Sequence, residues 1–291
     1  MTAGSVKLTS IDLLILDIDN TLFDWFEFWS VSFHAMLDAV LAEGTIDRDR
    51  LLDEIRIVHQ EHGTSEYAFL LQSVPCIAEL PVGKRDSIIR AGREAFRKAR
   101  EASERLYPDV KRTLEAIKAC GTRLVAYTES QRYYTTRRLI RFGLDGLLDA
   151  VYCAEDHDIP EGTDLVKLRS ESPEYYDLQK TIVVKLSRSL RKPNPSILQR
   201  IMVDFSSSPQ HTAYVGDSLF KDVSMAQGAG VFDVFAAYGE SRNRKGYDLL
   251  RRVSHWTDSH IASEKNTGDE VRPSVTLRGG FEEILEYFSF V

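Results

Sequence analysis

Five short apolar segments limit what this chain can fold into more than any other feature of its sequence. They are DLLILD (residues 12–17), TRLVAYT (122–128), DAVYCA (149–154), TAYVGD (212–217) and VFDVFAAY (231–238). Apolar runs of this length are typical of strands that are buried on both faces of a sheet. Helical patterns separate most of them, for example at 109–121 and 196–205. Alternating strands and helices predict βαβ units, and therefore an α/β fold with a parallel sheet.

Polar residues stand at the end of four of these segments. Asp17 ends the first, Thr128 the second and Asp217 the fourth, while Glu155 and Asp156 follow the third. In open α/β sheets, ligands bind beyond the carboxyl ends of the strands. We therefore expect these side chains to converge on one edge of the sheet.

Asp17 and Asp19 are separated by one residue at the end of a buried strand. Two carboxylates at such a short distance raise each other's pKa and destabilise the fold, unless another group compensates for their charge. A bound cation would compensate, and one carboxylate could then attack a substrate while the other handles protons. The alternative is that Asp19 or Asn20 only caps a helix.

The segment GDSLFKD places Asp217 and Asp222 five residues apart, directly after a strand. Gly216 allows a close approach of the backbone, and carboxylate oxygens suit a hard cation such as Mg²⁺. The alternative is an ordinary strand–turn–helix connection in which Ser218 is the N-cap.

Lys192, in RKPNP, is a candidate for a fixed positive charge among these carboxylates, where it could also bind an anionic substrate. Lys185 and Arg191 are competing candidates, and Lys192 could instead be a solvated residue before a proline turn. Thr128 offers a hydroxyl and the amide that follows it, which we expect at the start of a helix, where anions bind readily.

Taken in order, DIDNT, Thr128 in VAYTES, Lys192 in RKPNP and GDSLFKD resemble the four motifs of the haloacid dehalogenase-like (HAD) hydrolase superfamily. The resemblance covers about residues 11–22 and 107–240. It implies a Rossmann-like parallel sheet flanked by helices, with an inserted α-helical cap domain, as in the phosphatase branch of the family.

The resemblance also implies a phosphatase mechanism. Asp17 would attack phosphorus and form an aspartyl-phosphate, and Asp19 would act as general acid and base. An acid at position 19 makes a carbon–halogen substrate unfavourable, because a halide leaves without a proton. Mg²⁺ would be held by the Asp17 carboxylate, the main-chain carbonyl of Asp19 and the Asp217 carboxylate, with Asp222 as a ligand either directly or through water.

Four residues are implied as contacts of the transferred phosphate, and two of them, Thr128 and Lys192, also count as catalytic. The four are Asn20, Thr128, Glu129 and Lys192. Glu129 departs from the Asn-Gly that is common in the family after the hydroxyl residue. Because a carboxylate would repel phosphate, we expect the Glu129 side chain to point away and only its amide to help.

The domain organisation follows from the same pattern. Residues 1–22 and 107–291 are predicted to form the α/β core, and the mostly helical residues 23–106 are predicted to form the cap. Residues 155–191 are predicted to be an extended insertion within the core. Since this insertion is acidic at first and turns apolar in TIVVKL, we expect a β-hairpin or a flap there.

The charge and composition of the chain limit the kinds of molecule that it is expected to bind. The 37 basic and 44 acidic residues give a formal net charge of −7, which argues against sequence-independent binding to nucleic acid or to an anionic membrane. The N-terminus does not look like a signal peptide, no apolar run reaches 18 residues, and the three cysteines are far apart. A cytoplasmic protein acting on a small phosphorylated metabolite is therefore expected, and the sequence does not distinguish a monomer from a homodimer.

Two other functions stay open on the sequence alone. A phosphomutase or phosphonate hydrolase of the same family would keep most of these residues. A binding or regulatory protein could keep the fold without turnover.

Overall fold

The chain folds into two compact units. The computed structural model describes residues 8–157, 159–163, 171–257 and 271–291. The first unit contains Met1–Phe23, Leu106–Glu240 and Thr267–Val291, and the second contains Asp24–Arg105 and Ser241–Asn266.

The described part of the first unit contains nine strands. They are β1 (Thr9–Ile11), β2 (Leu13–Leu16), β3 (Arg123–Gln131), β4 (Ala150–Ala154), β5 (Ile182–Leu186), β6 (Thr212–Gly216), β7 (Phe232–Ala236), β8 (Val275–Leu277) and β9 (Phe288–Phe290). Seven form a parallel sheet in the order β5-β4-β3-β2-β6-β7-β8, and β1 pairs with β9. All four residues of the central strand β2 are buried, as expected for a parallel sheet that is covered on both faces. The predicted α/β fold is confirmed.

Ten α-helices are described. They are α1 (Trp25–Leu41), α2 (Arg48–His62), α3 (Leu70–Ser73), α4 (Pro75–Ala78), α5 (Val82–Ser103), α6 (Val110–Ala119), α7 (Arg132–Phe142), α8 (Pro195–Asp204), α9 (Ser224–Ala229) and α10 (Tyr247–Val253). In the first unit, Asn194 is the N-cap of α8, and its side chain accepts a hydrogen bond from Ser196 N. Helix α8 then buries Ile197 and Ile201 in the core cluster that also contains Ile15 of β2.

The connection to the lysine motif differs from the prediction. TIVVKL does not form a hairpin: Ile182–Leu186 is the edge strand β5, which pairs with β4 in parallel, Val151 opposite Val183. Thr181 starts the strand, its hydroxyl donating to Leu148 O at 3.0 Å. An edge strand is only partly apolar, because one of its sides has no partner strand in the sheet. Its sequence pattern therefore predicts a strand only weakly. Of the predicted insertion 155–191, residues 158 and 164–170 lie outside the described part.

The second unit is helical, and it includes a segment from late in the chain. Helix α1 begins at Asp24, whose carboxylate accepts from Glu27 N at 2.9 Å. Residues 241–257 were predicted to lie in the core, but α10 belongs to the second unit. Arg252 pairs there with Asp49 and Asp53 of α2. Such contacts join segments about 200 residues apart and leave no local pattern in the sequence.

His59 of α2 is completely buried in the second unit, with Nδ1 2.6 Å from Val253 O. Burial lowers its pKa to about 4. The unfolded chain, in which histidine titrates near its ordinary value of about 6.5, therefore binds a proton more readily than the folded chain. The free energy of unfolding therefore carries no penalty from His59 above about pH 6.5. As the pH falls towards 4, the free energy of unfolding decreases by about 3 kcal/mol.

Urea unfolding of the wild type and of His59→Gln at several pH values between 4 and 7 tests this expectation. The variant should lose less stability on acidification than the wild type, while His211→Gln, at an exposed histidine, should follow the wild type. Parallel curves for all three proteins would show that His59 does not carry the pH dependence.

Within the described residues, no helix has both the length and the apolar composition that crossing a membrane requires.

Candidate active site

Asp17 stands at the carboxyl end of the central strand. Its amide donates to Val215 O at 2.8 Å, which continues the pairing of β2 with β6, and its side chain is only 9% exposed. Because β3 and β6 flank β2, Thr128 on β3 and Asp217 after β6 stand at the ends of the two neighbouring strands. The predicted convergence of these three positions follows from the sheet order.

Lys192 is the lysine that enters the site. Its ammonium donates to Asp17 Oδ1 at 2.6 Å and to Asp222 Oδ1 at 2.9 Å, and its side chain is 3% exposed. The ring centroids of Tyr127 and Tyr214 lie 5.1 and 5.5 Å from Nζ, within the range of cation–π attraction. The competing candidate Lys185 is exposed on β5.

The ionisation of Lys192 is fixed by its neighbours. Burial alone would disfavour the charged amine, but the carboxylates of Asp17 and Asp222 outweigh that effect and raise the pKa of Lys192 well above its usual value. Lys192 is therefore a permanent positive charge at physiological pH.

Asp222 comes from a π-helical turn, Leu219–Val223. Its Oδ2 accepts from Ser218 N at 3.0 Å, and its Oδ1 accepts from the Tyr214 hydroxyl at 2.8 Å. A Cβ atom at Gly216 would lie 2.3 Å from Asp222 Cγ, so only glycine lets this carboxylate lie against the strand end. Ser218 does cap the turn, by accepting from Lys221 N. The cap alternative is thus also correct, and the capped turn is what holds Asp222 in the site.

Carboxylate oxygens of Asp17, Asp217 and Asp222 all lie within 4.8 Å of one another. Burial, together with the charge of Asp222, raises the pKa of Asp17 to about 7 and that of Asp217 well above its usual range. Lys192 is one positive charge against three carboxylates. A hard divalent cation fits this donor set, because Mg²⁺ prefers carboxylate oxygens and would neutralise the excess charge.

Asn20 holds the turn that follows Asp17 along the chain. This residue has φ +56°, in the left-handed region that asparagine tolerates, and its side chain hydrogen-bonds to the Asp217 carboxylate. Neither Asp19 nor Asn20 caps a helix, since Asp24 is the N-cap of α1. The helix-cap alternative for the aspartate pair is therefore wrong.

Asp19 is 23% exposed, and both of its carboxylate oxygens are engaged. Oδ2 accepts from Ser130 Oγ at 2.6 Å and from Thr128 Oγ1 at 3.3 Å. Arg138 Nη1 lies 3.4 Å from Oδ1. The Asp19 carboxylate is thus held from the β3 and α7 side of the site.

Thr128 does not stand at a helix start, contrary to the prediction. Strand β3 continues to Gln131 through a register shift after Tyr127, and α7 begins only at Arg132. The Thr128 hydroxyl accepts from Ser130 N at 3.0 Å, within the irregular end of the strand. The helix start itself is capped by Asp156, which accepts from Tyr133 N at 2.7 Å.

The Glu129 carboxylate makes contacts around the lysine, while its expected orientation away from phosphate stays a prediction. Oε1 accepts from the backbone amide of Lys192 at 3.1 Å, and Oε2 accepts from Lys221 Nζ at 2.6 Å. Burial opposes the charge of Glu129, but Lys221, Lys192 and Arg191 lower its pKa to about 2. Its charge is neutralised by Lys221, and its hydrogen bond to the Lys192 amide fixes the backbone that carries Lys192.

Several residues of this site were not found in the sequence. Outside the four motifs, or between their key positions, lie five such residues: Ser130, Arg138, Tyr214, Lys221 and Gly239. Ser130 had a local signal, since it lies two residues after Thr128 in a strand and therefore on the same face. The others depend on contacts across the fold.

Gly239 lies behind the aspartate turn. A Cβ atom there would lie 1.7 Å from the carbonyl oxygen of Asn20. We expect Gly239→Ala to displace this turn, to lower the free energy of unfolding by about 2 kcal/mol, as overpacking does, and to weaken cation binding at Asp217. Urea unfolding and Mg²⁺ titration measure the two effects.

The matched control is Gly83→Ala. A Cβ atom at Gly83 meets nothing within 4 Å, and alanine favours the first turn of α5. This variant should be as stable as the wild type or slightly more stable. Equal stability of both glycine variants would contradict the close approach at Gly239.

Comparisons with known proteins agree with this geometry. A family model described as haloacid dehalogenase-like hydrolase matches residues 11–230. The glyceraldehyde 3-phosphate phosphatase of Methanopyrus kandleri is 23% identical over 231 residues, which cover 77% of this chain and 83% of that protein.

Two solved structures show the likeness in three dimensions. A haloacid dehalogenase-like family hydrolase from Xanthomonas campestris aligns with a TM-score of 0.51 and 16% identity, over 92% of this chain and 97% of that one. A HAD-superfamily hydrolase of subfamily IA from Geobacter sulfurreducens aligns with a TM-score of 0.51 and 16% identity, over 98% of this chain and all of that one. At these identities the likeness is one of fold.

Proposed function

Because this chain belongs to the haloacid dehalogenase-like hydrolase family, we propose that it is a Mg²⁺-dependent phosphatase of small phosphomonoesters. The observation that carries the proposal is the buried Asp17 carboxylate, held by Lys192 at 2.6 Å beside Asp217 and Asp222. A nucleophilic carboxylate, a fixed positive charge and a cation-binding group are what phosphoryl transfer requires from a protein.

In the first step, an Asp17 carboxylate oxygen attacks the phosphorus. The bond between phosphorus and the ester oxygen breaks, and its electron pair goes to that oxygen. Asp19, in its protonated form, gives its proton to the same oxygen, so that an alcohol leaves and an aspartyl-phosphate remains. Lys192 and Thr128 are proposed to bind the phosphoryl oxygens, and the amides of Asn20 and Glu129 to support them.

In the second step, Asp19 has become a carboxylate and accepts a proton from water. The water oxygen attacks the phosphorus, and the bond between phosphorus and the Asp17 oxygen breaks. Inorganic phosphate is released, Asp17 is restored as a carboxylate, and Asp19 is protonated again for the next turnover. The fixed charge of Lys192 stabilises the phosphoryl oxygens in both steps.

The carboxylates of Asp17, Asp217 and Asp222, together with the main-chain carbonyl of Asp19, are proposed to hold Mg²⁺. When bound, this ion neutralises charge on the transferred phosphoryl group and on the carboxylates around it.

The substrate is proposed to be a small phosphorylated metabolite in the cytoplasm. A relative named glyceraldehyde 3-phosphate phosphatase, 23% identical to this chain, makes triose phosphates the first compounds to try. The second unit is proposed as the cap domain, and residues 155–191 as an insertion of the core.

The test is release of phosphate from a panel of phosphomonoesters, with and without Mg²⁺, and with Asp17→Asn as the blank. The panel contains triose, hexose, nucleoside and glycolate phosphates together with p-nitrophenyl phosphate. We expect release that needs both Mg²⁺ and Asp17. Transfer of phosphate between sugar positions without release would instead identify a phosphomutase, and good Mg²⁺ binding without any turnover would favour a non-catalytic binding protein.

A further inference from the structure

Arg138 is an arginine buried in the first unit with its charged end beside the candidate acid. Its side chain is 1% exposed, and Nη1 lies 3.4 Å from both Asp19 Oδ1 and Ser130 Oγ. The guanidinium lies 4.9 Å from the ring centroid of Phe23 and 5.9 Å from that of Tyr134, one helical turn earlier on α7.

Such burial is costly unless the charge meets an opposite one. Moving a charged side chain out of water costs several kcal/mol, which an ion pair recovers only with good geometry and further hydrogen bonds. Asp19 supplies the opposite charge here whenever it is a carboxylate, as it is between the two steps of the proposed reaction, and the aromatic faces of Phe23 and Tyr134 supply cation–π contacts. A residue that only filled this space could be apolar at lower cost, so the charge calls for a function.

The geometry around Asp19 suggests what that function is. Ser130 holds one carboxylate oxygen at 2.6 Å, and Arg138 approaches the other. With contacts on both oxygens, the carboxylate has little freedom to rotate. General acid catalysis depends on such orientation, because the proton must be within hydrogen-bond reach of the leaving oxygen when the bond to phosphorus breaks.

We propose that Arg138 is a positioning residue that, together with Ser130, orients Asp19 for proton transfer to the leaving group. The inference rests on the proposed function, since it gives Arg138 a role only in a reaction that uses Asp19 as the acid. Arg138 itself touches neither the phosphoryl group nor the nucleophile in this scheme.

The proposal predicts a dependence on the leaving group that a purely structural role would not produce. An alkoxide is a poor leaving group and needs the proton, whereas p-nitrophenolate is a stable anion that leaves without one. A loss of acid orientation should therefore slow alkyl phosphates and leave p-nitrophenyl phosphate nearly unaffected. The value of kcat/KM reports this, because it covers the steps up to the first departure of the leaving group.

The experiment compares kcat/KM for the best alkyl phosphate of the panel with kcat/KM for p-nitrophenyl phosphate. The variants are Arg138→Gln, Arg138→Lys and Ser130→Ala, with Asp19→Asn as the benchmark. Arg141→Gln is the matched control, since Arg141 lies on the same helix but is exposed. Thermal unfolding of each variant at saturating Mg²⁺ identifies any that does not fold.

For Arg138→Gln we expect a loss of about 30-fold with the alkyl phosphate and of less than about 3-fold with p-nitrophenyl phosphate, within the range of general acid catalysis. Arg138→Lys should recover part of the loss, and Ser130→Ala, a small change on the other oxygen, should show the same selectivity in weaker form. Arg141→Gln should match the wild type.

Equal losses with both substrates in Arg138→Gln and Ser130→Ala would overturn the inference while Asp19→Asn still discriminated between them. If Arg138→Gln does not fold, Arg138→Lys and Ser130→Ala decide the question alone. Failure of the proposed function is distinct, because the wild type would then hydrolyse neither substrate.

Discussion

Asp17→Asn is expected to lower phosphatase activity by at least about 10⁴-fold, as loss of a covalent nucleophile does in other hydrolases, without lowering the stability of the metal-free protein. An asparagine amide cannot form the proposed aspartyl-phosphate. Its Oδ1 can still accept the hydrogen bond from Lys192 that the carboxylate accepts at 2.6 Å. Activity and stability should therefore respond in different directions to the same substitution.

The stability expectation follows from the pKa of Asp17. Burial raises this pKa from the ordinary 3.8 to about 7. A carboxyl group whose pKa is higher in the folded chain than in the unfolded chain destabilises the fold once the pH is high enough to ionise it. At pH 8, in EDTA, removing that charge should keep the melting temperature or raise it.

Asp233→Asn is the matched control for this experiment. Asp233 is a buried aspartate on β7, away from the cluster, and its carboxylate accepts two hydrogen bonds at 2.7 Å from Ser274. We expect Asp233→Asn to lower the melting temperature, because the amide replaces one of the two acceptors by a donor. A clear drop for Asp17→Asn, similar to that of Asp233→Asn, would contradict the view that Asp17 is kept at a cost to stability.

The residues that the sequence predicted are those whose signal is local. Asp17, Thr128 and Asp217 end apolar strands, and the carboxyl ends of parallel strands meet at one edge, so their convergence needs no knowledge of the packing. Asp222 was found in the same way, because a short turn after a strand can return a side chain to the strand end. The sheet and its principal helices were predictable for the same reason.

The residues that the sequence missed act through contacts that no local pattern encodes. Arg138 is one of several basic residues on α7, and only the burial of its side chain and its approach to Asp19 distinguish it from the exposed Arg141. Glu129 was expected to point away from phosphate because the two would repel each other, and its pairing with Lys221, 92 residues away, could not be predicted. Charge balance in a buried site is a property of the whole fold.

Lys192→Met is expected to lower the stability of the metal-free protein, in contrast to Asp17→Asn. Removing the ammonium leaves the carboxylates of Asp17 and Asp222 buried without the charge that they contact at 2.6 and 2.9 Å. Breaking a buried ion pair in this way costs about 3 kcal/mol or more. Urea unfolding in EDTA should show this loss, and phosphatase activity should fall by about 10³-fold with the loss of a charge that stabilises the transition state.

Lys185→Met controls for the removal of a lysine, because Lys185 is exposed on the edge strand, and it should change neither quantity noticeably. Saturating Mg²⁺ should restore part of the stability of Lys192→Met, since a bound cation supplies the charge that the lysine no longer provides. An unchanged unfolding curve for Lys192→Met in EDTA would contradict this account of the cluster. Asp17→Asn and Lys192→Met should both lose activity, but only Lys192→Met should lose stability. This contrast is expected where buried negative charge exceeds buried positive charge. That excess is the physical reason to expect a cation at this site.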